Sequence, residues 1–335
     1  MAPGNRKVPK RSTASESRYS LVEFMRDFPD DETCLRWLWN TRYNLGDTTA
    51  HCDRCGEVRV FRRYTAKQQR QDWTCTACGL HVHPTAGTIF HKSSTSLHLW
   101  FYAMYLMTST RCGISAKQLE RELGVTYKTA WRMFTLIRNQ LMTQDDESPL
   151  SGMVEADETF VGGRPRAGGL RNSTDRVQHR AKKAMIFGAV ERNRVEWLHD
   201  QPKPRVTRRG HVRATVIPSM YGDTLTGQVE EKVSKDATLY TDESRSYKAL
   251  AREGWTHYAI DHSSKVYVSG DIHTQTIEGF WSLVKRGISG THHAVSRKWL
   301  QGYVNEYAWR YNRRDDPRGL FALLILRAAF PVANR

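Results

Sequence analysis

The stretch GMVEADETFVGG, Gly152 to Gly163, is where the periodicity of this chain changes from helical to alternating. Val154, Ala156 and Phe160 fall on one side of an extended segment, and Glu155, Asp157 and Thr159 fall on the other. The stretch therefore predicts a strand with an acid, Asp157, at its middle. Further strands are predicted in KAMIFGAVE (183–191), VRATVIPSM (212–220) and ATLYTDE (237–243), and long helices in DIHTQTIEGFWSLVKRG (271–287) and SRKWLQGYVNEYAWRYNRR (296–314). Glycine-broken basic stretches, 162–183 and 202–211, separate the strands. Strands followed by helices make residues 152–330 a mixed α/β domain.

Working outward, 335 residues exceed one ordinary domain. Lys plus Arg number 51 against 35 acidic residues, a net charge of +16, which points to a polyanion partner. No apolar run approaches the roughly 18 residues that span a bilayer, and no secretory segment opens the chain, so a cytoplasmic protein without a membrane partner is expected. Its thiols are then reduced, and regularly spaced cysteines are better read as metal ligands than as disulfides. Residues 1–19, basic and poor in apolar side chains, read as a flexible tail.

Four of six cysteines form CDRC and CTAC: Cys52 and Cys55, then Cys75 and Cys78. Each pair has the C-x2-C spacing and is followed by glycine, Gly56 or Gly79. Two such knuckles supply four thiolates for a tetrahedral Zn2+, the pattern of a structural zinc ribbon in which metal replaces a core too small to stand alone. Four thiolates leave no open position, so this zinc is structural. Cys34 and Cys112 lack such partners and are assigned to packing. Upstream, DDETCLRWLWNTRY predicts a short helix packed on the ribbon, and residues 20–92 form one module.

Residues 93–143 read as a helix-turn-helix region. AKQLEREL and YKTAWRMFTLIRNQL are helices broken by GVT, with Leu119, Leu123, Val125, Ala130 and Trp131 placed to pack them together. The second helix, starting at Thr126 or Tyr127, would present Tyr127, Lys128 and Arg132 to a DNA major groove. A plain helical hairpin has the same core spacing, and the neighbouring ribbon and positive charge favour the DNA-binding reading. Residues 144–151, rich in Asp, Ser, Pro and Gly, read as a linker.

Asp242 ends the strand-like ATLYTD, where an acid serves either as a cap or as a metal ligand. Glu278 lies on the edge of the apolar stripe Ile277, Phe280, Trp281 and Val284, and Lys285 is two helical turns further on the same side. If Asp157, Asp242 and Glu278 converge, their repulsion is tolerable only with a divalent cation between them, and hard oxygen ligands select Mg2+ or Mn2+. Asp242 is then better explained as a ligand. Glu155 and Glu158 flank Asp157 without being assigned as ligands, Glu158 because it points to the opposite face. His273, His292 and His293 read as surface or structural histidines, Trp281 as core, and Asn312 to Arg314 as a solvated basic face.

In order, the ribbon, the helix-turn-helix, VEADETFVGG, LYTDES, HTQTIEGFWSLVKRGISGTHH and YVNEYAWRYNRR resemble the IS1595 family (ISXO2-like) of insertion-sequence transposases over roughly residues 20–330. The resemblance implies a ribonuclease-H-like catalytic domain with a DDE-type triad, here Asp157, Asp242 and Glu278, and Lys285 as the basic residue expected to touch the terminal DNA. Family members commonly carry Asn three residues before this Glu; here Gln275 stands there, and the carboxylate of Glu278 is the better Mg2+ ligand. The expected function is a DNA transposase that binds terminal inverted repeats and cuts and joins strands with Mg2+. Its partners would be double-stranded DNA, both element ends and target, and a homo-oligomer in the DNA complex of a bacterial or archaeal nucleoid. The alternatives are a DNA-binding regulator with an inert C-terminal domain and a structure-specific nuclease without strand transfer.

Overall fold

A computed structural model describes residues 19–46, 48–64, 72–143, 148–162, 183–196, 204–242, 245–260 and 273–331. All but the last residue of the expected basic tail, most of the first basic stretch, the first half of the linker and Glu243 lie outside the described residues. The chain divides into two compact units: Met1–Gly113 with Leu119–Thr129 and Arg314–Arg335, and Ile114–Gln118 with Ala130–Arg313.

In the first unit, helices α1 (Leu21–Asp27) and α2 (Asp31–Arg42) begin at side-chain caps, Ser20 and Asp30, which accept the amides of Glu23 and Thr33. Strands β1 (Thr49–Cys52), β2 (Glu57–Tyr64), β3 (Asp72–Cys75) and β4 (His81–Val82) form an antiparallel meander. The α2 helix covers it through Trp39, whose ring stacks on Trp73 at 4.7 Å between centroids and tilts against Phe61. Helix α3 (Leu97–Ser109) is held by Phe24 of α1, which lies among Tyr102, Tyr105 and Phe321. Phe321 belongs to the last helix, Leu320–Ala328, so the C-terminal segment packs within this unit. Helices α4 (Ala116–Leu123) and α5 (Tyr127–Leu136) part at Gly124, whose φ of +62° suits glycine. Thr126 accepts the amide of Thr129 and starts α5 at Tyr127.

The second unit is built on a five-stranded sheet in the order β11-β10-β5-β6-β9. Here β5 is Met153–Val161, β6 Ala184–Glu191, β9 Val212–Ile217, β10 Thr238–Asp242 and β11 Thr256–Ile260. A short β7–β8 ribbon (Arg194–Glu196, Arg205–Arg208) lies between β6 and β9 in sequence. The β5, β6 and β9 strands are antiparallel; β10 runs parallel to β5, and β11 parallel to β10. The register, Leu239 beside Val154 and Tyr240 beside Glu155, carries Asp242 towards the level of Asp157.

Both sheet faces are covered. Val154, Ala156, Phe187, Ala189 and Leu239 pack with Leu225 and Val229 of α6 (Gly222–Lys232) and Leu250 of α7 (Lys248–Arg252). On the other face, Val161, Ile186, Val190 and Val212 pack with α8 (Gln275–Gly287) and α9 (Arg297–Asn312), while the final helix becomes α10. Two polar side chains of α9 finish the edge strand β9: Asn312 bonds both the N–H (2.7 Å) and the C=O (3.0 Å) of Val212, and Gln301 bonds Val216 N and Ala214 O. Those strand groups are thereby satisfied without another strand. Asn312 is thus a structural residue and not part of the solvated basic face expected of it.

A buried ion cluster ties α9 to the π-helical turn Ile137–Leu141 that follows α5. Glu306, fully buried, accepts Arg138 at 2.7 and 2.8 Å and Arg310 at 3.1 and 3.2 Å. Burial raises the Glu306 carboxyl, yet the Arg138 and Arg310 charges outweigh it and hold it below the usual carboxylate range. The Arg138 guanidinium lies 3.7 Å from the ring centres of both Phe134 and Tyr303. Removing one member of this cluster strands a buried charge. Glu306→Ala is expected to destabilise the chain by about 3–5 kcal/mol in denaturant unfolding, far more than a control at the exposed Glu230, Glu230→Ala.

Candidate active site and thiol cluster

Among the described residues, Cys52, Cys55, Cys75 and Cys78 are the group whose metal-ligating atoms all lie within 4.8 Å of one another. The knuckles form because Gly56 and Gly79, at φ +73° and +74°, turn back and donate their amides to Cys52 O and Cys75 O. Sulfur separations of 3.6 Å (Cys52–Cys78) and 4.0 Å (Cys55–Cys75) bracket the edge, about 3.8 Å, of a tetrahedron with metal–sulfur bonds of about 2.3 Å. The four thiols can therefore hold a zinc ion. Burial disfavours a Cys75 thiolate, but the amides of Cys78 and Ala77 outweigh it and bring the thiol down to about 7. Cys34 is fully buried in α2, and burial pushes its thiol upward, consistent with packing.

In the second unit Asp157 stands midway along β5, Asp242 ends the neighbouring β10, and Glu278 stands in the first turn of α8. Burial raises the Asp157 carboxyl to about 6, and the charges of Asp242 and Glu278 add to the rise; the backbone N–H of Glu158 and the Trp281 indole oppose it. Asp242 and Glu278 thus lie within electrostatic reach of Asp157, at a wider spacing than the thiols. Glu278 is exposed on the first turn of α8 and accepts the Thr274 hydroxyl at 3.1 Å. Gln275, one turn earlier, is also exposed.

Trp281 both packs and binds. It is 3 % exposed in the apolar layer, and its Nε1 donates to Asp157 Oδ2 at 3.0 Å. The indole reaches Asp157 because its strand neighbour is Gly188: a Cβ there would meet Trp281 carbons at 2.6 Å. Glu158 faces the other way, as alternation requires, and accepts the Tyr247 hydroxyl. Burial raises its carboxyl to about 8.

The residue that composition and spacing passed over is Glu155. It is fully buried on the Asp157 face, although no ligand role was assigned to it. Its Oε2 accepts the amides of Thr276 (2.8 Å) and Ile277 (3.0 Å), and its Oε1 accepts the Thr276 hydroxyl (2.9 Å) and Arg192 Nε (2.6 Å). Thr274, the N-cap of α8, provides no side-chain cap of its own. The sequence signal was the alternation that put an acid beside Asp157 in an otherwise apolar strand.

Lys285 is exposed and lines a cavity of about 320 Å3 with Phe160, Val161, Ser289 and His293. His292 is mostly buried against Tyr303, and burial lowers its imidazole to about 4. His273 Nδ1 lies 3.1 Å from Glu155 Oε1. On α5, Tyr127, Lys128 and Arg132 are all exposed.

These features define a multidomain α/β protein with a metal-competent thiol module and a mixed sheet that carries Asp157 and Asp242 on neighbouring strands. Residues 149–312 match the family model of the ISXO2-like transposase domain. Over 291 residues the chain is 30% identical to a protein in the transposable element ISH50 of Halobacterium salinarum, covering 85% of this chain and 92% of that one. A transposase-like protein of Haemophilus influenzae is 29% identical over 104 residues, 31% of this chain and 83% of its own length. The chain belongs to the IS1595 family of ISXO2-like transposases, and family membership implies DNA as its partner. No helix among the described residues is long and apolar enough to cross a membrane.

Gly188→Ala tests the Trp281 seat. The added methyl must push the indole off Asp157, lowering stability by about 1–3 kcal/mol and shifting tryptophan emission; an unchanged melting curve and spectrum would refute the seating.

Proposed function

We propose that the chain is a DDE-type transposase that binds the terminal inverted repeats of an insertion sequence and cuts and joins DNA strands with Mg2+ or Mn2+. The observation that carries this reading is the parallel pairing of β10 on β5, whose register brings Asp242 towards the level of Asp157, where the charges of Asp242 and Glu278 both act on the Asp157 carboxyl. A divalent cation relieves that repulsion, and hard oxygen donors suit Mg2+ or Mn2+. Asp157, Asp242 and Glu278 would hold it, with Glu278 favoured over Gln275 as the third ligand. When bound, such ions activate a water or 3′-hydroxyl and stabilise the leaving oxygen of a phosphodiester. Lys285, two turns beyond Glu278 on α8, orients a phosphate of the terminal DNA. A mixed sheet with helices on both faces and acids on its central strands supports a ribonuclease-H-like catalytic domain.

The remaining parts bind and hold. The exposed Tyr127, Lys128 and Arg132 on α5 support its reading as a major-groove helix of a helix-turn-helix. Zn2+ on Cys52, Cys55, Cys75 and Cys78 is structural because all four positions are filled. Two element ends require at least two active sites, so a homo-oligomer assembles on DNA.

The decisive assay incubates the chain and Mg2+ with a labelled duplex bearing the inverted repeat that flanks its gene. Joined products are expected, falling by more than about a hundredfold in Asp242→Asn, since even the outer partners of metal ligands are worth 10- to 100-fold. Binding without cleavage by the wild type would instead make the chain a DNA-binding regulator, and cleavage without joining a nuclease. Zinc is tested separately: a chelator should release one ion per chain and melt β1–β4, because structural zinc contributes about 10–16 kcal/mol to such modules. Retention of the ribbon's circular dichroism and of end binding after metal loss would refute the structural role.

A further inference from the structure

The Glu155–Arg192 pair touches each element that carries one of the three acids. Glu155 stands on β5 two residues before Asp157 and, by alternation, on the same face. Arg192 follows the end of β6 and is anchored there by its own amide, which donates to Met153 O at 2.9 Å. Its Nε donates to Glu155, its terminal nitrogen donates to His273 O at 2.6 Å just before α8, and its guanidinium lies 4.3 Å from the Tyr240 ring centre. Tyr240 is the strand neighbour of Glu155 and stands two residues before Asp242. Thr276 and Ile277, whose amides Glu155 accepts, stand two and one residues before Glu278.

We infer that Glu155 and Arg192 are positioning residues: a buried clasp, one layer beneath the carboxylates, that sets the spacing of Asp157, Asp242 and Glu278 for a divalent cation. The inference rests on the metal-binding reading above. Its physical basis is that α8 enters the site without a cap of its own, so its first amides are fixed by a carboxylate on the very strand that carries Asp157. Arg192 neutralises that carboxylate and ties the same point to β10. The Trp281 indole, seated at Gly188 and bonded to Asp157, holds the middle of α8 on the sheet. The clasp holds its first turn, which carries Glu278, through bonds of defined direction.

The test measures Mn2+ binding by electron paramagnetic resonance on the full chain, alongside thermal melting, end binding without metal, and cleavage against Mn2+ concentration. Glu155→Gln puts an amide against Arg192, and Arg192→Lys cannot reach Glu155, the His273 carbonyl and the Tyr240 ring together. Each is expected to weaken Mn2+ binding about 10- to 100-fold, the range found for partners of metal ligands, and to raise the Mn2+ needed for cleavage in step. End binding without metal should stay within about twofold. Should either fail to fold, Thr276→Val removes a single bond to Glu155 and should still weaken Mn2+ binding severalfold. Wild-type Mn2+ affinity in folded variants overturns the clasp while leaving the metal site intact. If the wild type itself binds no Mn2+ and Asp242→Asn changes nothing, both the metal reading and the clasp fall.

Discussion

The capping of one helix by a carboxylate from a strand is the constraint on which the catalytic unit depends. An α-helix begins with amides that its own backbone cannot satisfy. Most helices meet this with a local Ser, Thr or Asp, as Ser20 and Asp30 do for α1 and α2. The α8 helix uses Glu155 of β5. A local cap fixes only the helix start, whereas a cap borrowed from a strand fixes the helix relative to the sheet. The choice therefore converts an ordinary stabilising device into a geometric one, and Trp281 exploits it by reaching across to Asp157 through the gap at Gly188.

The opposite edge of the sheet answers a related problem with neutral groups. The edge strand β9 has backbone groups facing no further strand, and α9 satisfies them with the amide side chains of Gln301 and Asn312. Close helix contact needs small residues: a Cβ at Gly287 would lie 1.8 Å from the Tyr307 hydroxyl, and one at Gly302 2.2 Å from Asn139 Oδ1. The α9 helix is thus held against α8, β9 and the turn after α5 at once. Its buried Glu306 makes that arrangement specific, since a displaced α9 would part Glu306 from Arg138 and leave it only Arg310 of its own helix.

Much of this was legible in the sequence wherever a short-range rule applied. Period-two alternation put Asp157 and Glu155 on one face and Glu158 on the other. The repeated C-x2-C-G spacing pointed to the thiol cluster, because each knuckle closes within five residues. The β11 strand, Thr256–Ile260, and helix α6 passed unremarked; β11 is half exposed and carries no strong apolar period. What sequence could not supply was long-range pairing. The parallel register of β10 on β5, the partnership of Glu155 with Thr276, and that of Glu306 with Arg138 link residues 85 or more positions apart by number, and no local pattern encodes them. Asn312 was misjudged for the same reason: beside two arginines it looks like a solvated base-rich end, and only β9 gives its amide a task.

The neighbouring acids Asp157 and Glu158 show how the sheet sorts chemistry by face. Burial raises both carboxyls, to about 6 and about 8. Glu158 faces the layer of α6 and α7, where the Tyr247 hydroxyl is its partner, and a carboxyl raised to about 8 is mainly protonated at neutral pH. Asp157 faces α8, where the Trp281 indole and a backbone amide stabilise its charged form, so it is mainly ionised. Of the two adjacent acids, only Asp157 is therefore turned towards α8. On the proposed reading, Asp157, Asp242 and Glu278 are the donors a hard cation would meet. An acid at position 158 is tolerable here because the pleat turns it away from Asp157 and towards the Tyr247 hydroxyl.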